Sequence, residues 1–280
     1  MIKDIVLHLS TDTNDTKHDV AANYAVSVAE AFGAHLAAIT FAYEPVLPAT
    51  LMGDVLPADF INAQRALAEE AAKAAMAKFG ETARRVGVGV ETRLEMTGFA
   101  DAADIFGHFA RRFDLSIVGQ AVPDVVGPQE LIVEAALFQS GRPVVVVPYI
   151  QKTELTLNRV LVCWDGGRQA ARATADSIPF LHRAKAIEVV IVATEPLKSD
   201  DLPGADIARH LARHNLNVDL KRIVTGGADV ANTILSYAAD VSADFIVMGG
   251  YGHSRLREFI LGGVTRGLLS SMTIPTLMSH

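Results

Sequence analysis

The run MGGYGHSRLREFILGGVT, Met248–Thr265, holds five glycines. Gly249, Gly250 and Gly252 come at or just after an apolar run, DFIVMG, that reads as a buried strand. Gly262 and Gly263 precede an apolar stretch of helical character reaching Met272. Glycines where a chain leaves a strand permit positive φ and close approach of backbone to a ligand. A helix starting within Gly262, Gly263, Val264 and Thr265 would turn unpaired N–H groups and the positive end of its dipole outward. That makes an anion site needing no cationic side chain. The residues between would loop back and bring both glycine elements around one ligand. The same glycines also suit a strand-to-helix turn plus a packing glycine. Spacing alone does not separate the two readings, because neither GxGxxG nor GxxxxGK[ST] is present in a strand–loop–helix context.

Other side chains narrow the chemistry. His253 and Arg255 flank the glycines and suit phosphate oxygens, whereas Arg257 and Arg266 suit a solvated face. Asp165 ends the apolar run RVLVCWD. One carboxylate there suits a strand-end cap or a single contact to Mg²⁺ carried by phosphates. Trp164 beside it either meets a ligand or packs in the core, the commoner fate of a strand tryptophan. Cys163 reads as a buried small hydrophobe. Ser254 lacks a nucleophile elbow, and the nine histidines show no HExxH or paired-Cys spacing. No nucleophile with a base emerges, so no catalytic group can be named.

The elements that must position these residues come in two matching sets. DIVLHLS and RVLVCWD are near-continuous apolar runs, as expected of strands buried on both faces. Each is followed by an Ala-rich helical stretch and then by a second apolar run, HLAAITFAY or IEVVIVATEP. FADAADIFGHFARRFDLSIVGQ matches GADVANTILSYAADVSADFIVMGG, and both halves close on an apolar run containing proline. Strand–helix alternation, five strands in each half, predicts tandem doubly wound α/β domains with parallel sheets. The boundaries fall at 1–150 and 155–280, on either side of the polar QKTELTL at Gln151–Leu157. The first half is longer, with an extra segment at Pro45–Ala58 and a helical stretch over about Asp59–Gly87. Arg142–Tyr149 and Ile274–Ser279 are expected to pair as a pseudo-dimer.

Bulk properties limit the partners. At 280 residues with a net charge of −7, the chain lacks the basic face that nucleic acid or an anionic membrane would require. One cysteine permits no intrachain disulfide and fits a reducing compartment. MIKDIVLHLSTDTND is too short in apolar run for a signal peptide. No stretch is long enough to span a bilayer. A soluble cytoplasmic protein is expected.

The glycine stretch resembles the nucleotide motif of the universal stress protein family, G-x2-G-x9-G followed by Ser, Thr or Asn. Gly249, Gly252 and Gly262 match in register, and the resemblance extends over the chain as two copies. It implies that the second copy binds an adenine nucleotide, ATP or AMP, with or without Mg²⁺, as a stress-response signal. By the same resemblance Asp165 lies by the nucleotide and Thr194 contacts adenine through its backbone. Gly249 lies by the ribose; Gly252, Gly262, Gly263 and Val264 lie by the phosphates; Met248, His253 and Thr265 are further expected contacts, and the family allows at most slow ATP hydrolysis. Gly263 departs from the motif by lacking a side chain, for which Thr265 is the expected substitute. The first copy is degenerate: Ser10 stands for Asp165, Val122 for Gly252, and Glu130 falls near Gly262, while Gly119 persists for Gly249. A carboxylate at a helix start opposes a phosphate, so this copy is expected to be structural or regulatory. A homodimer of two chains is also expected. The alternative is a nucleotide-free interaction protein of the same fold.

Overall fold

The computed structural model describes residues 1–11, 20–45, 58–122, 127–193, 204–250 and 263–280. The first set of elements is β1 (Asp4–His8), α1 (Val20–Phe32), β2 (His35–Tyr43), α2 (Ala58–Arg85), β3 (Val90–Thr97), α3 (Phe99–Ala110), β4 (Leu115–Gly119), α4 (Gln129–Phe138) and β5 (Val144–Val147). The second set is β6 (Arg159–Cys163), α5 (Arg168–Leu181), β7 (Ala186–Ala193), α6 (Ala205–Arg213), β8 (Asp219–Val224), α7 (Val230–Asp240), β9 (Phe245–Gly249), α8 (Gly263–Ser271) and β10 (Thr276–Ser279). The alternation read from the sequence is present in both halves.

All ten strands form one sheet in the order β3-β2-β1-β4-β5-β10-β9-β6-β7-β8. Each half is a parallel 3-2-1-4-5 arrangement. The two join where β5 and β10 run antiparallel, with Val144, Val145 and Val146 opposite Met278, Leu277 and Thr276. These two strands are the pair expected from the closing apolar runs. Val144, Val145, Val146, Leu277 and Met278 have no exposed surface, so the seam is as dry as a domain centre.

The Asp-apolar-Gly block shared by the halves has a structural reason. Asp114 precedes β4, and its Oδ2 accepts the backbone N–H of Lys3 at 2.8 Å and of Asp4 at 3.2 Å. Asp244 precedes β9 and does the same for Asn158 at 2.8 Å and Arg159 at 3.1 Å. In both halves a carboxylate therefore anchors the start of the central strand, supplying charge-assisted bonds to N–H groups that the ladder leaves open.

Helices cover both faces and cross the seam. Phe32 of α1 meets Phe180 of α5 edge-on at 4.8 Å, Arg183 lies 4.5 Å over Phe32, and Phe180 stacks on Phe245 at 5.0 Å. On the other face α3, α4, α7 and α8 bury a second apolar layer that includes Phe106, Ile132, Ile234 and Leu268.

His8 sits in that second layer at the carboxyl end of β1, against Phe41 and Phe106, with ring centroids 5.8 Å from each. Its Nδ1 has no hydrogen-bond partner. Burial lowers its pKa from 6.5 to about 4, against a smaller opposing contribution from a hydrogen bond with Gln129. Between those values the unfolded chain binds a proton that the folded chain refuses. Stability therefore falls as pH drops through 6.5 and levels off below about 4, by on the order of 3 kcal/mol. Urea unfolding of wild type and His8→Leu from pH 7 to pH 4 checks this. The wild type is expected to lose more stability over that range, and equal slopes would refute it.

Candidate functional site

In a doubly wound sheet ligands meet the carboxyl ends of strands where the connections diverge. In the second half that point lies between β6 and β9, which are neighbours. After β6, Trp164 N–H still bonds to Val190 O at 2.9 Å. Its side chain packs on the apolar layer shared with α1 and α5, so core packing is the reading the structure supports. Asp165 is exposed, and its Oδ1 accepts the Gly167 N–H at 2.7 Å. Gly166 takes φ +76° between them. The carboxylate thus closes a tight turn just before α5, as a strand-end cap does. Behind it, burial and then the charge of Asp165 push the Cys163 thiol up to about 12, so it is inert as a nucleophile.

Gly249 ends β9 against this turn. A Cβ there would lie 2.5 Å from Ala170 N and 2.6 Å from Gln169 C. The glycine is thus required by the backbone of α5's first turn, whatever else it does. Gly250 is required for a different reason. A Cβ there would lie 2.7 Å from Leu137 Cδ2, a side chain of α4 in the first half. Gly250 N–H bonds to Ser279 O at 2.8 Å, and its carbonyl lies 3.1 Å from His280 Nδ1.

α8 is described from Gly263 to Ser271, in the stretch where the sequence reading expects a helix. Gly263 is exposed, and an added Cβ would meet nothing within 4 Å. Steric exclusion therefore does not explain its missing side chain. Val264 is 37% exposed, whereas Thr265 is 3% exposed. The hydroxyl expected to substitute at Gly263 is turned into the protein, which is a correction to that reading. Met248 is buried among the core residues, so only its backbone is open to a ligand. Arg266 is exposed and acts on Glu134 of α4, whose pKa burial and then Glu130 raise and Arg266 lowers. Thr194, Gly252, His253, Ser254, Arg255, Arg257 and Gly262 lie outside the described residues. The structure thus brings together the Asp165 turn, the start of α5 and Gly249. No group of three or more His, Cys, Asp or Glu able to hold a metal occurs among the described residues.

Three residues that sequence reasoning passed over complete this region. Gln120, 5% exposed, donates from Nε2 to Leu269 O at 2.8 Å in the last turn of α8, and its Oε1 accepts Tyr149 N–H at 3.2 Å. Leu137 covers Gly250. In the first half Gln129 Nε2 bonds to Gly119 O, bridging strand end and helix start with a side chain. Gly119 itself is not sterically required, its nearest neighbours being 3.7 Å from an added Cβ. Nothing local in sequence marks these contacts, since each joins distant segments.

The fold and this crevice define a tandem doubly wound α/β protein. Residues 156–280 match the model of the universal stress protein family. A universal stress protein of Synechocystis, Slr1230, is 25% identical over 230 residues, 78% of this chain and 75% of its own. Among solved structures, a universal stress protein of Archaeoglobus fulgidus superposes with a TM-score of 0.73 over 99% of this chain and 96% of its own, at 14% identity. A protein of unknown function from Pseudomonas aeruginosa does so with a TM-score of 0.61, at 16% identity, over 99% and 92%. These structural likenesses bear on the fold. The C-terminal half belongs to the universal stress protein family, and the residues before it repeat that fold in tandem.

The glycines separate into two kinds, and stability distinguishes them. Gly249→Ala is expected to cost about 1–3 kcal/mol by forcing α5 from the sheet. Gly263→Ser, in open space at a helix start, should be neutral or slightly stabilising. Thermal unfolding without ligand checks both; equal effects would contradict the assignment.

Proposed function

We propose that the C-terminal half binds an adenine nucleotide, ATP or AMP, and that occupancy serves as a stress-response signal. The observation that supports this most is Gly263, the first described residue of α8, which is exposed and uncrowded. The backbone N–H groups of Gly263 and Val264, and the helix dipole, would carry phosphate charge without a cationic side chain. Gly249 would lie by the ribose and Asp165 beside the nucleotide. Mg²⁺, where present, would arrive with the phosphates. Loss of a Ser, Thr or Asn side chain at Gly263 removes about 0.5–1.5 kcal/mol, one neutral hydrogen bond. Thr194, Gly252, His253 and Gly262 complete the proposed site.

The first half takes the regulatory or structural part. Gln129 spans the gap between β4 and α4, and Glu130 stands in the first turn of α4, which opposes a phosphate there. No helix among the described residues is long and apolar enough to cross a membrane, and we place the protein in the cytoplasm. The domain boundaries at 1–150 and 155–280 belong to the same reading.

One observation favours a second reading, a nucleotide-free interaction protein. Gly249 and Gly250 are both required by packing, so their presence does not need a ligand. Calorimetric titration with ATP and Mg²⁺ decides between the two. Binding is expected, lost in Gly262→Glu and tightened up to about tenfold in Gly263→Ser, which restores one hydrogen bond. Absence of heat at millimolar nucleotide, with no nucleotide released from denatured protein, would establish the second reading.

A further inference from the structure

α2 is long for the sheet it covers. Its 28 residues span about 42 Å, whereas the nine of β2 span about 30 Å. Its buried residues, Ala72, Phe79 and Ala83, all lie in its second half. Residues 58–71 bury none. Arg65 pairs with Glu44 at 3.0 Å, just past the end of β2, so the turns before it stand beyond the sheet's carboxyl edge. The corresponding helix of the second half, α6, has nine residues.

This projecting helix is not polar all round. Phe60 is 48% exposed and Leu67 64%. Together with Ala63 and Ala74, also exposed, they fall three, four and seven residues apart and line one outward stripe. A helix with no buried side chain over its first turns, yet with two large apolar ones in water, has no partner for that stripe among the described residues.

Charge along α2 says which partner fits. Residues 58–71 carry Asp59, Glu69 and Glu70 against Arg65; Glu44 engages Arg65, and Lys73 of the same helix lies 2.8 Å from Glu69 and 3.7 Å from Glu70. Residues 72–85 carry Lys73, Lys78, Arg84 and Arg85 against Glu81. The helix is acidic at one end and basic at the other. Antiparallel packing on an identical helix would set each acidic end against a basic one, while parallel packing would set like against like.

We propose that the outward stripe of α2 associates with α2 of a second copy of this chain, antiparallel. Leu67 then packs on the Ala74 region of the other copy. Glu70 faces Lys73 of the other copy near the centre, and Asp59 faces Arg84 and Arg85 at the ends. A strip about 42 Å by about 10 Å covers ~400 Å² per chain. That is below the ~800 Å² per partner of ordinary stable complexes, so the dimer is weak and concentration-dependent.

Sedimentation equilibrium of the full chain, without nucleotide, over micromolar to high-micromolar concentration tests this. The expected result is a reversible monomer–dimer equilibrium, weakened about tenfold or more by Leu67→Glu with unchanged circular dichroism. Glu70→Lys should also weaken it, and Glu70→Lys combined with Glu69→Lys and Lys73→Glu should restore it, because the intrahelical pairs of Lys73 with Glu69 and Glu70 and the cross-helix pair then all return with reversed sign. A monomer throughout overturns the proposal. So does a dimer indifferent to Leu67→Glu, or a charge reversal that does not rescue.

Discussion

The antiparallel pairing of β5 with β10 is the interaction on which the rest of the molecule depends. A half standing alone would end its sheet on VVVV at Val144–Val147 or on TLMS at Thr276–Ser279, each wholly buried here. Such an edge, flat and apolar, is a template for unwanted strand addition. Pairing the two within one chain removes both edges at once. The edges that remain, β3 and β8, carry Glu91, Arg93 and Glu95, and Asp219, Lys221 and Arg222. Charges on an edge strand discourage further pairing. The seam also forces helices of opposite halves together, which is why Phe32 meets Phe180 and Leu137 meets Gly250.

Within that frame the halves keep one device and diverge at others. Asp114 and Asp244 anchor β1 and β6 in the same way, because both central strands start with open N–H groups. Beside this anchor the charges are unlike. Asp4 faces His35 at 2.8 Å in the first half. In the second, Arg159 pairs with the buried Glu188, whose Oε2 also accepts from Tyr237 at 2.6 Å. At the carboxyl ends the contrast is larger: His8 and Gln129 occupy the first half, and a thiol, an exposed aspartate and open backbone occupy the second. The amino ends hold strands in place by different means, while the carboxyl ends differ in what they leave accessible.

The fold was legible because buried parallel strands must be continuously apolar and their crossover helices amphipathic, so element order and repeat show in the sequence. The β5–β10 pairing was legible for a related reason, since both halves close on an apolar strand with no partner of its own. The site was legible only in part. Glycine at 249 reads equally as a ligand contact or as a close approach of α5, and only the second is visible in the geometry. Gly250 and Leu137 are far apart in the chain, and no periodicity couples them. Thr265 was misplaced because a position two residues into a helix faces inward or outward by rotation, and the rotation is set by packing on α7. The bare outer face of α2 escaped notice because a helical pattern rich in Ala, Glu and Lys does not say how far the sheet beneath it extends.

The seam has a consequence for α8. Its carboxyl end is held by Gln120 of the other half through Leu269 O. Gln120 is itself tied to Tyr149 N–H at the exit of β5. A helix anchored at one end transmits a push at the other as rotation or strain, since packed interiors deform little. The Gln120 side-chain amide links α8 to the first half and its connector. Gly250 adds a second contact, because Leu137 leaves it no room to move toward α4. The first half therefore bears on the second at both sides of the glycine segment. Its contacts at Gly250 and Leu269 tie the end of β9 and α8 to it.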